Sequence, residues 1–437
     1  MENHTRTPPK NGLKNSLFKD ANFRWLVSGS AVSLMGDQFT TLALPWLVLQ
    51  LTHDTLVLGI VLALLGIPRA LLILVGGALV DRHSPKAVMM ITKFINAGLL
   101  LTISLLLHLG WLQLPMVYGF ALCLGISTAF SIPSGTSMLP KVVELSQLRA
   151  ANGVVMTIRQ VSFFLGPLLA GAVIALYGSQ TSSAIPDAGG LKIAFLIDGC
   201  AYLFSAWTLS HVRLKTLQQA AQATTAGLLH SIAEGIRYCW NHVQLRTCFL
   251  YWAAMTFLIM GPAQVAMPML ATSLGTSAST LGRLGGAHGG GMLLGMILAG
   301  ALPRLRVGTL GKTILLCDFT VGLLFIPLGM VHSEWQAATL LLLVGMLGGF
   351  LNVAVFTWIQ QQVPGQMIGR TMSLFMFIFM GITPLSAALT GALMRNVPVS
   401  LVFAVSGSAL LIVVVSALLL TPLRYFSEAL PADRSAS

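Results

Sequence analysis

Apolar stretches of at least about 18 residues recur along the whole chain, and each is long enough to cross a bilayer as a helix. The 437 residues are 55% hydrophobic and 9% charged, whereas a soluble protein carries about a quarter charged residues. A membrane β-barrel would instead show segments of about ten residues with alternating polarity, and the sequence has no such series. The pattern therefore predicts an all-α polytopic membrane protein.

Polar breaks divide these stretches into twelve predicted transmembrane helices, or spans. They are 24–50, 56–80, 87–109, 113–138, 152–177, 191–211, 247–272, 281–303, 311–332, 335–362, 371–395 and 398–422. Most of the 25 Lys and Arg residues lie before span 1, after span 12 or in loops that follow even-numbered spans. Because cytoplasmic loops are enriched in these residues, we expect both termini in the cytoplasm and the protein in the bacterial cytoplasmic membrane.

Net charge, cysteine spacing and the absence of certain motifs restrict the partners and cofactors that we expect for this protein. The net charge of +12 is spread among short loops instead of one domain, which argues against a nucleic-acid partner. The five cysteines lack metal-ligand spacing, and the phosphate-binding pattern G-x-x-x-x-G-K-[ST] is absent. Residues 1–23 are polar and basic, without the apolar core of a cleaved signal peptide. We expect no cofactor and no metal, a monomer in a lipid bilayer, and a small-molecule substrate with protons.

The two halves of the sequence repeat. The stretch PWLVLQLTHDTLVLG (45–59) aligns without a gap to PMLATSLGTSASTLG (268–282), at an offset of 223 residues. Two six-helix halves related in this way are typical of transporters, with the substrate site at mid-depth between them. We therefore expect two pseudo-symmetric halves and further segments, divided as 1–23, 24–211, 212–246, 247–422 and 423–437, with an amphipathic helix in the 212–246 linker.

The loop between spans 2 and 3 reads GGALVDRHSPK and is similar to a signature of the major facilitator superfamily. Gly77, Asp81, Arg82 and Lys86 match that signature, and Ser84 replaces its second glycine. The resemblance implies that these four residues form a latch that breaks and reforms during alternating access. The alternative is that Arg82 and Lys86 are ordinary positive-inside residues.

Span 5 contains SFFLGPLLAG and resembles the antiporter motif of the same superfamily. Gly166, Pro167 and Gly171 match its frame, whereas Ser162 and Ala170 depart from it. Proline removes a backbone donor and bends a helix. The resemblance implies that this bend helps to seal the cavity, and a bend that serves packing alone is the alternative.

Four further stretches resemble the macrolide-efflux and enterobactin-exporter branch of the superfamily. They are GDQF in span 1, GISTAFSIPSGTSMLPKVV in span 4, ANGVVMTIRQ (151–160) and AEGIRYCWNHVQLR (233–246). The resemblance implies a fold of twelve helices in two six-helix halves and favours export, without naming a substrate.

Charged residues within the spans are the candidates for coupling to protons, because a charge inside a membrane is costly. Asp37 in span 1 and Arg69 in span 2 enter from opposite faces and reach similar depths, so an ion pair between them is geometrically allowed. Arg159 in span 5 enters from the cytoplasm and should lie a turn or more below these two residues in depth. At the repeat offset Arg69 corresponds to Met292. We expect Asp37, Arg69 and Arg159 to couple transport to protons. The alternatives are a permanent Asp37–Arg69 pair that only orients the half and a direct contact between Asp37 and a cationic substrate.

Three other ionisable residues are expected at the periphery of the helix bundle. Lys93, Asp198 and Asp318 belong to spans 3, 6 and 9, which the resemblance places at the periphery. Each lies within about two turns of a helix end, so we expect their side chains to reach the membrane surface.

Polar and aromatic side chains on spans 1, 7 and 10 are candidates for the substrate cavity. Thr41 lies one turn beyond Asp37, and Gln264 lies on span 7. Asn352, Phe356 and Gln360 recur every four residues and so form one stripe on span 10. Packing between helices is the alternative for each of them.

These features predict a proton-coupled antiporter that exports a small amphipathic compound such as a drug, a macrolide or a siderophore. An importer or facilitator on the same fold and a non-transporting sensor are the alternatives. An intramembrane enzyme would need converging catalytic groups, and the patterns H-E-x-x-H and G-x-S-x-G are absent.

Overall fold

The computed structural model describes residues 17–82, 84–178, 185, 187–214, 228–275, 277–302 and 305–426. Within these ranges the chain is helical, and twelve helices are long and apolar enough to cross a membrane. They are α1 (Ala21–Thr52), α2 (Thr55–Arg82), α3 (Pro85–Leu109), α4 (Leu114–Val142), α5 (Leu148–Gly178), α6 (Ala188–His211), α7 (Val243–Leu274), α8 (Ala278–Ala301), α9 (Leu310–Leu328), α10 (Glu334–Gln362), α11 (Gly365–Leu393) and α12 (Val399–Leu420). The predicted fold class is confirmed.

Helix boundaries depart from the predicted spans by a few residues, because helices continue beyond the apolar stretch. The helix α1 begins at Ala21, since the Asp20 carboxylate accepts hydrogen bonds from the backbone N–H groups of Asn22 (2.8 Å) and Phe23 (3.4 Å). At the other extreme, α9 ends at Leu328, next to Pro327 and Gly329, four residues before the predicted end.

A wide turn interrupts α7 at Thr256–Met260. Pro262 follows this turn and has no backbone N–H to continue the regular helix. The N–H of Gly261 instead donates to the Thr256 carbonyl, five residues back. Gln264 follows one turn later.

The two halves meet along two pairs of helices, α2 with α11 and α5 with α8. Within the first half, α1 packs on α5 and α6, and α3 packs on α6; within the second, α8 packs on α10 and α9 on α12. We name the side where α1 begins and α12 ends the linker face, and the other side the opposite face. The alternation of helix direction therefore places the loops α1–α2, α5–α6, α7–α8 and α11–α12 at the opposite face.

The repeat appears in the structure as a matched pair of glycine contacts between halves. A Cβ on Gly59 of α2 would lie 3.0 Å from the Ala388 Cα of α11, and one on Gly282 of α8 would lie 2.8 Å from the Gly171 Cα of α5. Gly59 and Gly282 are equivalent at the repeat offset of 223 residues. Small residues allow helices in membranes to approach closely, so the repeat carries the contact surface between the halves.

An amphipathic linker helix, Leu228–Asn241, connects the halves at the linker face. Glu234 forms an ion pair with Arg370 at the start of α11 (Oε2 to Nη1, 2.7 Å). The amphipathic helix predicted in the 212–246 linker ends at Asn241, and α7 begins directly after His242. The linker helix is thereby attached to the second half.

Candidate functional site

A cavity of about 310 Å³ lies between the two halves. It is lined by Gln38, Thr40, Thr41, Leu42, Leu44, Pro45, Leu62, Leu65, Gly66, Arg69, Pro167, Ala263, Gln264, Met267, Pro268, Leu281, Gly285, Thr383 and Pro384. Helices α1, α2, α5, α7, α8 and α11 supply these residues. Most of the lining is apolar, and Arg69 is the single charged residue among the lining residues that the structure describes.

Two of the five predicted cavity residues lie in this lining. Thr41 and Gln264 contribute from α1 and α7. Asn352, Phe356 and Gln360 lie elsewhere, and the Phe356 ring packs against Phe375 with ring centroids 5.2 Å apart. In this conformation the α10 stripe therefore lies outside the cavity.

The cavity is closed towards the opposite face by contacts between the halves. The Thr55 hydroxyl at the start of α2 donates to the Gly391 carbonyl of α11 (3.0 Å). Beyond it, the Arg395 guanidinium in the α11–α12 loop binds Asp54 in the α1–α2 loop with both Nε (3.1 Å) and Nη2 (2.5 Å). This hydrogen-bonded ion pair holds the pKa of the Asp54 carboxyl below its usual value.

The antiporter-like frame of α5 lies at this closure. Pro167 lines the cavity and packs against Gly282 and Gly285 of α8, and Gly171 meets Gly282. Gly166 faces α1 instead, where a Cβ would lie 2.3 Å from the Gln38 Cγ. The three positions thus join the close α5–α8 and α5–α1 contacts.

Asp37 belongs to a network of buried and half-buried polar groups inside the first half. The Tyr202 hydroxyl of α6 donates to Asp37 Oδ1 (2.6 Å). The Lys93 Nζ of α3 lies 5.6 Å from the centroid of the Tyr202 ring and donates to the Ser205 hydroxyl (2.6 Å). Lys93 and the exposed Arg159 of α5 both act on the Asp37 charge.

Asp198 of α6 is the second acid of this network. It accepts a hydrogen bond from the Thr40 hydroxyl and lies in the electrostatic range of Lys93 and Asp37. Its other oxygen, Oδ1, is buried without a hydrogen-bond partner. Two carboxylates therefore share one buried ammonium group.

The expectation that Lys93, Asp198 and Asp318 reach the membrane surface is wrong. Lys93 is 3% exposed, and the two acids are each 1% exposed. Helices α3 and α6 are peripheral only with respect to the cavity, because α6 packs on α1 and α3 packs on α6. In the second half, the Tyr251 hydroxyl of α7 donates to Asp318 Oδ2 (2.7 Å).

The allowed ion pair between Asp37 and Arg69 is not formed in this conformation. Arg69 lines the cavity, and its buried Nε has no hydrogen-bond partner. Asp37 faces Tyr202, and its electrostatic partners are Lys93 and Arg159. The two residues therefore have separate surroundings.

Of the predicted latch, one residue is described with its contacts. The Lys86 ammonium donates to the backbone carbonyls of Ser210 (2.9 Å) and Val212 (2.7 Å) at the end of α6. The surroundings of Gly77, Asp81 and Arg82 lie outside the described part of the chain.

Sequence reasoning did not identify the network around Asp37. The network also contains Lys93, Asp198 and Tyr202. The signal in the sequence that could have identified it is the presence of a base, Lys93, and an acid, Asp198, in spans of the same half as Asp37. Tyr202 also follows Asp198 by one helical turn, which places both on one face of α6. Because the resemblance places spans 3 and 6 at the periphery, the sequence did not indicate that these residues interact with Asp37.

Twelve membrane helices in two similar halves around a central cavity are the architecture of a small-molecule transporter. The sequence profile described as Major Facilitator Superfamily matches residues 26–383. The chain therefore belongs to the major facilitator superfamily, whose members are transporters. The prediction of a transporter instead of an enzyme is confirmed.

Proteins that are similar in sequence include two kinds of efflux protein. The chain is 26% identical over 362 residues to the multidrug efflux pump Tap of Mycobacterium tuberculosis (strain ATCC 25618 / H37Rv), covering 80% of this chain and 82% of Tap. It is 23% identical over 408 residues to macrolide efflux protein A of Streptococcus pyogenes, covering 90% and 94%. These relatives agree with the branch that the sequence resembles.

Solved structures agree in fold. A variant of the nucleoside transporter NupG superposes with a TM-score of 0.70 at 14% identity, over 91% of this chain and 98% of that one. A D-xylose-proton symporter also gives a TM-score of 0.70, at 12% identity, over 95% and 99%.

Proposed function

We propose that the protein is a proton-coupled antiporter that exports small amphipathic organic compounds from the bacterial cytoplasm by alternating access. The observation that carries this proposal is a largely apolar cavity between the halves, adjacent to a buried acid network in the first half. An apolar cavity with a few polar groups suits an amphipathic organic molecule. The efflux functions in the names of the relatives support the direction of transport.

The proposed orientation places the linker face, with both termini, in the cytoplasm. The concentration of Lys and Arg in the loops of that face supports it. The closure formed by Asp54, Arg395, Thr55 and Gly391 then faces the outside. This conformation is the one in which an exporter would receive its substrate from the cytoplasm.

Asp37 is the proposed proton carrier. A buried charge is stable only when another charge or hydrogen bonds compensate it. Lys93 compensates one of the two carboxylates, Asp37 and Asp198, so the other needs either Arg159 or a proton. Helix α5 carries Arg159 and packs on both α1 and α8. The proposal therefore requires that movement of the halves shifts α5 against α1 and so changes the distance between Arg159 and Asp37.

Other residues of the site have proposed conformational roles. Gly77, Asp81, Arg82 and Lys86 latch the linker face in the other conformation, as the family resemblance implies. Gly166, Pro167 and Gly171 seal the opposite face in this one, which their contacts with α1 and α8 support.

A resistance panel on an overproducing strain tests the proposal. We expect reduced susceptibility to some amphipathic drugs or increased siderophore secretion, lost in Asp37→Asn at equal membrane levels. Inside-out vesicles then establish the direction: an acid-inside gradient should drive accumulation of the compound identified.

Two outcomes would contradict the export proposal. Accumulation that requires the reverse gradient would identify an importer. Absence of exchange across the membrane for every compound of the panel would identify a sensor.

A further inference from the structure

Arg69 is a half-buried cation, and the described residues offer it no compensating anion. Among the described lining residues it is the one charged side chain, and its Nε is buried without a hydrogen-bond partner. Arg283, Arg370 and Arg395, by contrast, each form an ion pair within the described residues. Partial removal of a guanidinium from water without an anion is unfavourable, so an anion that enters the cavity would compensate this charge.

The fold itself does not require a cation at this position. Met292 occupies the equivalent place in the second half, at the repeat offset. There, the Met292 backbone lies against Gly345 and Gly349, in the close packing of α8 on α10. The scaffold therefore accommodates an uncharged side chain where the first half has Arg69.

Hydrogen-bond donors in the cavity are few. The Thr41 hydroxyl donates to the Asp37 carbonyl (2.7 Å), the Thr383 hydroxyl donates to the Phe379 carbonyl (2.7 Å), and the Thr40 hydroxyl donates to Asp198. These three hydroxyl groups retain only acceptor capacity. The donors that remain for a ligand are the Arg69 guanidinium and the side-chain amides of Gln38 and Gln264.

We propose that the cavity selects amphipathic organic anions, whose carboxylate or other planar oxyanion pairs with the Arg69 guanidinium. Guanidinium binds such oxyanions with two parallel hydrogen bonds. The amides of Gln38 and Gln264 supply further donors, and the apolar lining receives the body of the molecule. This substrate class rests on the proposed function, in which the cavity is the site of transport.

Amphipathic cations fit the same cavity poorly. A cation would meet Arg69 with no carboxylate in the described lining to offset the repulsion. The acids beside the lining are engaged elsewhere: Asp37 accepts the Tyr202 hydrogen bond and is acted on by Lys93 and Arg159, and Asp198 is acted on by Lys93. The cavity therefore discriminates by the sign of the charge.

Three fluorescent probes with one apolar body test the proposal: 1-pyrenebutyrate, 1-pyrenebutanol and 1-pyrenebutylamine. At about pH 7 the first is an anion, the second is neutral and the third is a cation. Their binding to the purified full-length protein is measured by fluorescence anisotropy. We expect the anion to bind at least about tenfold tighter than the amine, a difference of about 1.4 kcal/mol.

Arg69→Met is the informative variant, because it copies the residue found in the second half. It should bind the three probes within about threefold of one another, while Arg69→Lys should keep part of the preference for the anion. Arg149→Gln removes an exposed positive charge at the start of α5 and is the matched control. It should bind like the wild type. Thermal unfolding of each variant excludes loss of the fold as the cause.

Equal binding of the probes, tighter binding of the amine, binding of none, or an anion preference that survives Arg69→Met would each overturn the inference. Transport is scored separately with the same probes in vesicles. Selective binding of pyrenebutyrate without its export would contradict the proposed function and leave the selectivity standing. Export of a panel compound by a protein that shows no preference for the anionic probe would contradict the selectivity and leave the proposed function standing.

Discussion

At the scale of single residues, four ionisable side chains of the first half that belong to the site lie in two separate places. Asp37, Lys93 and Asp198 lie together between α1, α3 and α6, and Arg69 lies alone in the cavity. This separation allows one group of residues to handle the proton while another contacts the substrate.

Tyr202→Phe removes the hydroxyl group that donates to Asp37 and leaves the ring in place. Because that hydrogen bond favours the ionised carboxylate, we expect the pH profile of export to move by a measurable amount while the protein still folds. Transport rates in vesicles across a pH series, fitted to one apparent ionisation, measure the shift.

Tyr251→Phe is the matched control, since Tyr251 donates to Asp318 in the second half at nearly the same distance. It should lower stability by roughly 0.6 kcal/mol, an average value for a hydrogen bond between membrane helices, and leave the pH profile unchanged. Equal displacement of the profile by both variants would remove the special role of Asp37.

Single residues also show the limits of sequence reasoning. Asp37 and Arg69 were identifiable because a charge in an apolar span is conspicuous. Their depth along the helix was also predictable, but the direction in which each side chain points was not. The orientation of α1 about its axis points Asp37 towards α6, and that of α2 points Arg69 towards the cavity. Periodicity within a uniformly apolar helix does not specify this orientation.

At the scale of helices, closure of the opposite face depends on small residues at helix crossings. Gly171 and Gly282 bring α5 and α8 together, and Gly59 and Gly391 do so for α2 and α11. The repeat predicted the equivalence of Gly59 and Gly282, since an offset alignment detects matched positions. It did not predict the α10 stripe, because a polar stripe is compatible with either a cavity or a packed interface.

Gly282→Val should disfavour the conformation that is closed at the opposite face. Its Cβ would lie 2.6 Å from the Pro167 carbonyl oxygen and 2.8 Å from the Gly171 Cα, and backbone atoms cannot yield as a flexible side chain does. Gly98→Val is the control, because no heavy atom lies within 4 Å of its added Cβ.

Labelling of Thr41→Cys by an impermeant maleimide from outside the cell measures the effect. The exposed native cysteines, Cys123 and Cys200, are first replaced by serine. We expect severalfold faster labelling in Gly282→Val than in the parent or in Gly98→Val. Unchanged labelling would mean that this crossing does not control closure.

The Asp54–Arg395 pair joins two loops across the halves and should be insensitive to moderate changes in outside pH. The paired state lowers the pKa of Asp54 below its ordinary value, so its contribution is complete above that ordinary value. It is lost only as the pH falls through the lowered one. Between about pH 5 and about pH 8 the carboxylate therefore stays ionised.

The same Thr41→Cys labelling assay tests this expectation. In the wild-type pair, the labelling rate should not change with pH between about pH 5 and about pH 8. Asp54→Asn should raise the labelling rate at every pH, but only modestly, since both partners of the ion pair reach solvent. Restoration of slow labelling by the reversed pair, Asp54→Arg with Arg395→Asp, completes the test. A strong pH dependence that disappears in Asp54→Asn would contradict it.

At the scale of the whole molecule, the two halves share one scaffold but differ in their charged groups. The shared part comprises six helices per half and the glycine contacts between halves. Asp37 and Arg69 have no charged equivalents at the repeat offset, where α7 and α8 carry Met260 and Met292. We therefore assign the proposed alternating access to the shared scaffold, and the proposed proton and substrate chemistry to the first half.

The role of Asp37 is tested most directly by comparing exchange with gradient-driven transport in one proteoliposome preparation. The compound used is the one that the resistance panel identifies. Asp37→Asn should retain counterflow within about twofold of wild type, because exchange of bound substrate needs no net proton movement, and it should lose accumulation driven by a pH gradient. Accumulation at the wild-type level in Asp37→Asn would contradict the assignment of Asp37 as the proton carrier.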